Sequence, residues 1–322
     1  MPFITRFLAA SALALSFVLP TEAGAQAADY PNRKITFMVG FAPGGGIDTF
    51  ARVVAQGLTE QFNYPIVIEN RPGAASNIAA RAVANAAPDG YTFLVTGNSL
   101  AINQTYYKNP GYSISELAPI AFSARDSLAI AVTAGHPART LNEFMAGAKS
   151  TPISFGFGGS SARIASEYVF KVLGKLPATA VPYQSGAPAL NALLGGHVDV
   201  VTGPIVEIFP QVQQGKLRAL AVTGPKRARV LPEVPTLRES GLAGIEVYGW
   251  NGILAPAKIP PEIALKVNTA VNAVVATQAV EQRLRTLGYE PYSLPLAEAP
   301  AFLKESIDAW ARMIREAGIT GE

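Results

Sequence analysis

Residues able to do catalytic chemistry are scarce in this chain. It has two histidines and no cysteine, which removes thiol nucleophiles, thiolate metal sites and disulfides together. His136 precedes a proline, and His197 stands two residues before Asp199 with no Gly-x-Ser-x-Gly elbow to complete a hydrolase dyad. No catalytic residue, metal ligand set or cofactor site is expected. What the sequence offers instead is glycine. Phe41-Ala42-Pro43-Gly44-Gly45-Gly46-Ile47-Asp48 joins an apolar β-branched run to a helical pattern. Three successive glycines let backbone approach a small molecule closely, and the helix start beyond them offers free N–H groups suited to an anion. Asp48 can cap that helix and pair with Arg52 four positions on, face a ligand, or do both.

Gly156-Phe157-Gly158-Gly159-Ser160-Ser161 repeats the layout in the second half. Its sixth position is Ser161 and no acidic residue follows about twenty positions later, so it is no dinucleotide fingerprint. Gly159, Ser160 and Ser161 make a nest of donors, and Arg163 is either a solvated charge or a bidentate carboxylate clamp. Thr96-Gly97-Asn98-Ser99 and Tyr183-Gln184-Ser185-Gly186-Ala187 are further small-residue segments at strand ends. Thr96, Asn98, Ser99, Tyr183, Ser185, Gly186 and Ala187 are weak candidates singly. Four such segments, two in each half, are best explained by a cleft.

The elements that must hold these loops alternate between strand and helix, the mark of βαβ units and mainly parallel sheets. Strands are expected over Ile35 to Gly40, Ile66 to Glu69 and Tyr91 to Thr96, with helices from about Asp48 to Phe62 and Ser76 to Ala86. The second half restarts with a strand over Ile153 to Phe157 and a helix from Ser161 to Leu173. Strands over Thr179 to Tyr183, Val198 to Thr202 and Leu217 to Val222 follow. Long helices are expected over Pro260 to Ala276 and Leu296 to Ala317. Ala118 to Thr133 and Glu246 to Leu254 have the composition of strands crossing between two lobes. Lobe one then spans 26–125 plus 249–322, and lobe two 126–248, with Trp250 a hinge residue that lines the cleft or a core tryptophan. One large doubly wound sheet is the alternative.

Residues 1–25 have the pattern of an export signal: Arg6, an apolar run from Phe7 to Leu19, Pro20, and a small-x-small site at Ala23-Gly24-Ala25. Cleavage after Ala25 and a periplasmic location are expected. Charged residues are 15% of the chain and the net charge is +3, below the roughly 25% charged of ordinary soluble domains. Nothing there suggests nucleic-acid binding.

Phe41-Ala-Pro-Gly-Gly-Gly-Ile-Asp48, Glu69-Asn-Arg-Pro-Gly-Ala74, Ala87-Pro-Asp-Gly-Tyr91, Val181-Pro-Tyr-Gln-Ser-Gly-Ala-Pro-Ala-Leu190 and Leu194-Gly-Gly-His-Val-Asp199 together resemble the Bug-type receptors of tripartite tricarboxylate transporters. The likeness runs from about Tyr30 to Ile319. It implies a two-lobed α/β periplasmic binding fold with a hinged cleft, a monomer that captures a small organic carboxylate for membrane permease subunits. It also implies that the two strand–glycine–helix loops hold a ligand carboxylate through backbone amides and bridging waters. A sensing receptor without transport and an α/β hydrolase are the alternatives. Two positions depart from the family pattern: Arg163 stands where His is common, and Gly203 where an Asp usually faces the ligand. Both shift the expected pocket toward positive charge, and Gly203 makes room. A dicarboxylate is therefore the expected ligand, with aromatic ones such as terephthalate included.

Overall fold

The computed structural model of the chain describes residues 29–242 and 248–319. The expected export segment and the start of the second crossing segment, Glu246, lie outside the described residues. The strand runs build two sheets, so the single doubly wound sheet is excluded. The first contains β1 (Ile35–Val39), β2 (Ile66–Asn70), β3 (Thr92–Gly97), β4 (Leu117–Asp126), β10 (Gly249–Pro256) and β11 (Glu290–Pro291), ordered β11-β4-β10-β3-β1-β2. The second contains β5 (Leu128–Thr133), β6 (Ile153–Phe157), β7 (Ala178–Pro182), β8 (Val200–Pro204) and β9 (Leu217–Val222), ordered β7-β6-β8-β5-β9.

The sheets are mixed, not mainly parallel. β1 runs parallel to β2 and β3, but β10 is antiparallel to β3 and β4, and β5 to β8 and β9. The reversals follow from the crossings. β4 ends at Asp126 and β5 begins at Leu128, with Ser127 alone between them. A strand entering a sheet from the edge where parallel strands finish must run backward through it. The C-terminal ends of β1, β3, β4, β6 and β8 therefore meet the starts of β5 and β10 at one shared edge. The registers Gly249 with Asp126, Asn251 with Gly97, and Leu128 with Pro204 mark it.

Helices form where apolar residues recur at three- and four-residue spacing. α1 (Gly46–Phe62) buries Phe50, Val53, Val54 and Leu58, and Asn63 ends it in the left-handed region. α2 (Asn77–Ala84) follows a short 3-10 turn, Ala74–Ser76, whose three residues all have positive φ. α3 (Ser99–Tyr106) buries Leu100, Ala101, Ile102, Asn103 and Tyr106; being apolar on several sides, it has no stripe for a periodicity argument to find. α4 (Leu141–Ala148) and α5 (Ser160–Ser166) come next, and α5 continues as π-helical turns over Glu167–Leu173. The remaining helices are α6 (Gly186–Leu194), α7 (Ile205–Gln213), α8 (Pro261–Val275), α9 (Gln278–Thr286) and α10 (Ala299–Glu316).

One apolar cluster belongs to both sheets. It joins Leu94, Phe122 and Trp250 of the first sheet, and Trp310 and Met313 of α10, to Ile130, Phe155, Ala162, Val169 and Phe170 on the other side. Two hydrogen bonds cross the same seam: Arg163 to the Tyr106 hydroxyl, and the Tyr168 hydroxyl to Glu316 at 2.5 Å. Among the described residues no single helix is long and apolar enough to cross a membrane.

Candidate functional site

The first glycine loop closes on Asp48. That carboxylate is buried and accepts from Gly44 N (2.9 Å), Arg52 Nε (2.9 Å), Arg52 NH2 (3.0 Å) and Asn70 Nδ2 (2.8 Å). Asn70 Nδ2 also donates to the carbonyl of Phe41 at 3.0 Å. Burial alone would raise the Asp48 carboxyl, but the bonds from Arg52, Asn70 and Gly44 outweigh it and hold it below the usual carboxylate range. Asp48 pairs with Arg52 as expected, but it does not cap α1, whose N-cap Gly45 receives no side-chain bond; its carboxylate turns back to hold the loop at Gly44 instead. Gly44 has φ +82°, a conformation that L side chains disfavour. Ala42, Pro43 and Gly44 are exposed, and Gly45 and Gly46 half-buried. Gly46 lies under the Tyr289 hydroxyl, 2.9 Å from where a Cβ would stand.

The two loops of the second sheet interlock. A Cβ on Gly158 would fall 2.1 Å from Gly186 N and 2.0 Å from the Ser185 carbonyl carbon, so only glycine lets these backbones touch. Gly159, Ser160 and Ser161 start α5, and Ser185, Gly186 and Ala187 start α6, all at least partly exposed. Tyr183 sits half-buried against Gly156. Gly203 has only Ile208 within 4 Å of a Cβ position, at 3.7 Å.

Helix starts give this edge its chemistry. The N-caps of α1, α3, α5, α6 and α7 are Gly45, Asn98, Gly159, Ser185 and Pro204, and none supplies a side-chain cap. Away from the edge the pattern varies: α4 is capped by Thr140, whose hydroxyl accepts from Glu143 N at 3.1 Å, while α8 and α10 have no side-chain cap. First-turn N–H groups with no protein acceptor need water or a ligand.

Four candidates are committed elsewhere. Thr96 is buried, with its hydroxyl 3.2 Å from that of Ser76. Asn98 Oδ1 accepts from Trp250 N at 2.9 Å. The Trp250 indole donates to Ser306 Oγ at 2.8 Å and packs on Phe122 with ring centroids 4.9 Å apart. It is a core tryptophan, since an apolar ring buried between β10 and α10 gains more than one at a wet edge. Arg163 donates to Tyr106 and stands 3.7 Å from Glu167 across one helical turn, so its charge is partly met within the seam. Ser99 Oγ is buried with no partner among the described residues.

Sequence reasoning missed two carboxyls at the edge. Asp126 ends β4, and a Cβ on Gly249 would fall 1.7 Å from its Oδ1; a Cβ on Gly186 would fall 1.6 Å from Glu207 Oε2. Burial, then the charge of Glu207, pushes the Asp126 carboxyl up to about 7, and burial raises Glu207 as well. The expectation of a positive pocket is therefore corrected: the acid missing at Gly203 returns one helical turn on, as Glu207. Glu207 stands four residues after Gly203 but on the helix that follows the strand, so the strand pattern alone does not show it. Beside Asp126 is a cavity of about 260 Å³, whose walls include Ser127, Arg229, Arg285 and Tyr289.

Two mixed sheets finishing at one edge, with uncapped helices rising from it, define the two-sheet architecture of extracytoplasmic solute receptors. The structure of the periplasmic binding protein BugD superposes with a TM-score of 0.82 at 30% identity, covering 91% of this chain and all of BugD. R. palustris Rpa4515 with adipate gives 0.85 at 31% identity, covering 91% of this chain and 100% of that one. MatC (Rpa3494) from Rhodopseudomonas palustris with bound malate gives 0.79 at 32%, covering 88% and 100%. The tripartite tricarboxylate transporter family receptor profile matches residues 50–319, and the chain belongs to that family of solute-binding receptors.

Proposed function

We propose that the chain is an exported periplasmic receptor that captures a dicarboxylate and presents it, as a monomer, to the permease subunits of a tripartite tricarboxylate transporter. Aromatic diacids such as terephthalate fall within this class. In this reading, lobe one (26–125 with 249–322) and lobe two (126–248) close about the ligand, shifting an open–closed equilibrium.

The observation that carries the proposal is the convergence of uncapped helix starts from both sheets on one edge. Each such end favours an anion by about 0.3–1 kcal/mol, and by about 2 when partly buried. Ends on opposite sides suit a molecule with a carboxylate at each tip. The main chain of Gly44 to Gly46 takes one carboxylate, and the Gly159–Ser161 and Ser185–Ala187 segments the other. Rpa4515 with adipate and MatC with malate, both similar to this chain at 31% and 32% identity, support the class. Arg163 acts here through the seam that positions α5.

A melting-temperature screen against mono-, di- and tricarboxylates tests the reading. A ligand at a hundred times its Kd stabilises by about 2.7 kcal/mol. Dicarboxylates should raise the melting point most, and a panel in which none does would refute the proposal.

A further inference from the structure

Asp126 and Glu207 come from different parts of the fold, the end of β4 and the first turn of α7, yet the charge of Glu207 reaches Asp126. Between them they touch three segments of the candidate site. Glu207 Oε2 lies against Gly186 at the start of α6, and Asp126 Oδ1 against Gly249 at the start of β10. The Tyr289 hydroxyl feels both charges, bonds to Asn251, and stands over Gly46 of the first loop. A dianion held between the first loop and α6 would bring its own charge beside two carboxyls.

Two cations share the cavity that Asp126 lines, and one of them is already paired. Arg229 and Arg285 stand on the wall of the adjoining cavity, and Arg285 is paired with Glu281 at 2.5 Å. Arg125 is stacked on Tyr292, 3.5 Å from the ring centroid, and Glu290 adds a further negative group to the same cavity. Two carboxyls and a dianion gathered at one site favour holding a proton over full ionisation. Resting on the carboxylate reading above, we propose that Asp126 and Glu207 hold a proton when a dicarboxylate binds, so that capture of a dianion is proton-linked. A protonated carboxyl then donates a hydrogen bond toward the ligand where an ionised one would repel it. The pair thus selects low pH, and selects against ligands without a carboxylate to share the proton.

Adipate is the probe, titrated by calorimetry from pH 6 to 9 in two buffers of different ionisation heat. The unaltered protein should take up close to one proton per adipate at pH 8, and its Kd should rise about tenfold per pH unit above pH 7.5. Glu207→Gln should reduce the uptake and move the break in the profile to lower pH, and Asp126→Asn serves if that variant fails to fold. Unchanged pH dependence in both variants, a flat wild-type profile, or affinity that rises with pH would overturn the inference while leaving carboxylate capture intact. If adipate does not bind, carbon-detected NMR of the ligand-free protein decides. Persistence of a carboxyl titrating near neutrality that drops by a unit or more in Glu207→Gln supports the pair. Both carboxyls titrating in the ordinary range would sink it.

Discussion

Replacing Asp48 by Asn tests whether the first loop is held by its carboxylate. Four donor atoms converge on its two oxygens, at 2.8 to 3.0 Å. An asparagine keeps one oxygen and turns an NH2 group toward at least one of those donors, so two bonds are lost and a donor faces a donor. Bonds to charged groups contribute about 1.5–3 kcal/mol each, but the Arg52 side chain is 53% exposed and water recovers part of its share. The net loss should be about 2–4 kcal/mol, which for a chain of this size lowers the melting temperature by roughly 5–10 °C. The acid limb gives a second readout. A carboxyl held below its ordinary value contributes stability that is complete above the unfolded value and lost as pH falls through the folded one. The gap between wild type and variant in calorimetric melts should therefore be wide at pH 7 and narrow by pH 3. Equal melting points at pH 7, or a gap unchanged at pH 3, would refute the account of the loop.

Gly45→Val should fold normally, since a Cβ there meets only the Ala42 carbonyl oxygen, at 3.4 Å. Its adipate affinity, by calorimetry, should fall at least tenfold if backbone meets ligand there; an unchanged Kd would remove this loop from the site. Ala75→Gly should stabilise the protein by about 1 kcal/mol in urea melts, because φ +50° strains any residue with a Cβ. Arg163→Ala should weaken adipate and hexanoate by the same factor, because the guanidinium works on Tyr106 and Glu167; a larger loss for adipate would place it on the ligand. Asp126→Asn should gain on wild type from pH 6 to 8. A carboxyl raised to about 7 favours the fold below its unfolded value, and that benefit fades as pH climbs through the folded one. The gain should be on the order of 2 kcal/mol, and parallel stability–pH curves would count against a raised Asp126 carboxyl.

The parts of this fold that were readable in sequence are those with a local cause. β6 over Ile153–Phe157 and β9 over Leu217–Val222 coincide with their short, largely apolar runs, and α1 follows its apolar spacing. The glycine loops were readable because a glycine triplet before a helix has few other uses. What escaped depends on distant partners. Thr96 reads as a loop donor until Ser76 is found above it, and Trp250 as a hinge until Phe122 and Ser306 enclose it. Arg163 reads as a free cation because Tyr106 is 57 residues away. The acid pair was hardest: Asp126 closes a strand and Glu207 opens a helix, and neither run of sequence contains a reason for them to meet. The reversal of β5 and β10 was hidden similarly, since strand direction is set by the crossing and not by the residues within it.

The place of β10 in the first sheet has a consequence for the order of events at synthesis. It lies between β3 and β4, pairing with both, and no other strand joins β4 to the β3-β1-β2 group. Until residue 256 has been made, the first sheet is two unconnected fragments, whereas β5 to β9 form a continuous stretch that completes its sheet without help. The inserted second half can thus gather first, and the earlier half must wait, its β4 edge unpaired, for a strand from beyond the insertion. Such long-range closure is slow, and an unpaired edge invites aggregation. β4 therefore stays without either of its sheet neighbours until the chain beyond the second sheet has been made, however early that second sheet closes.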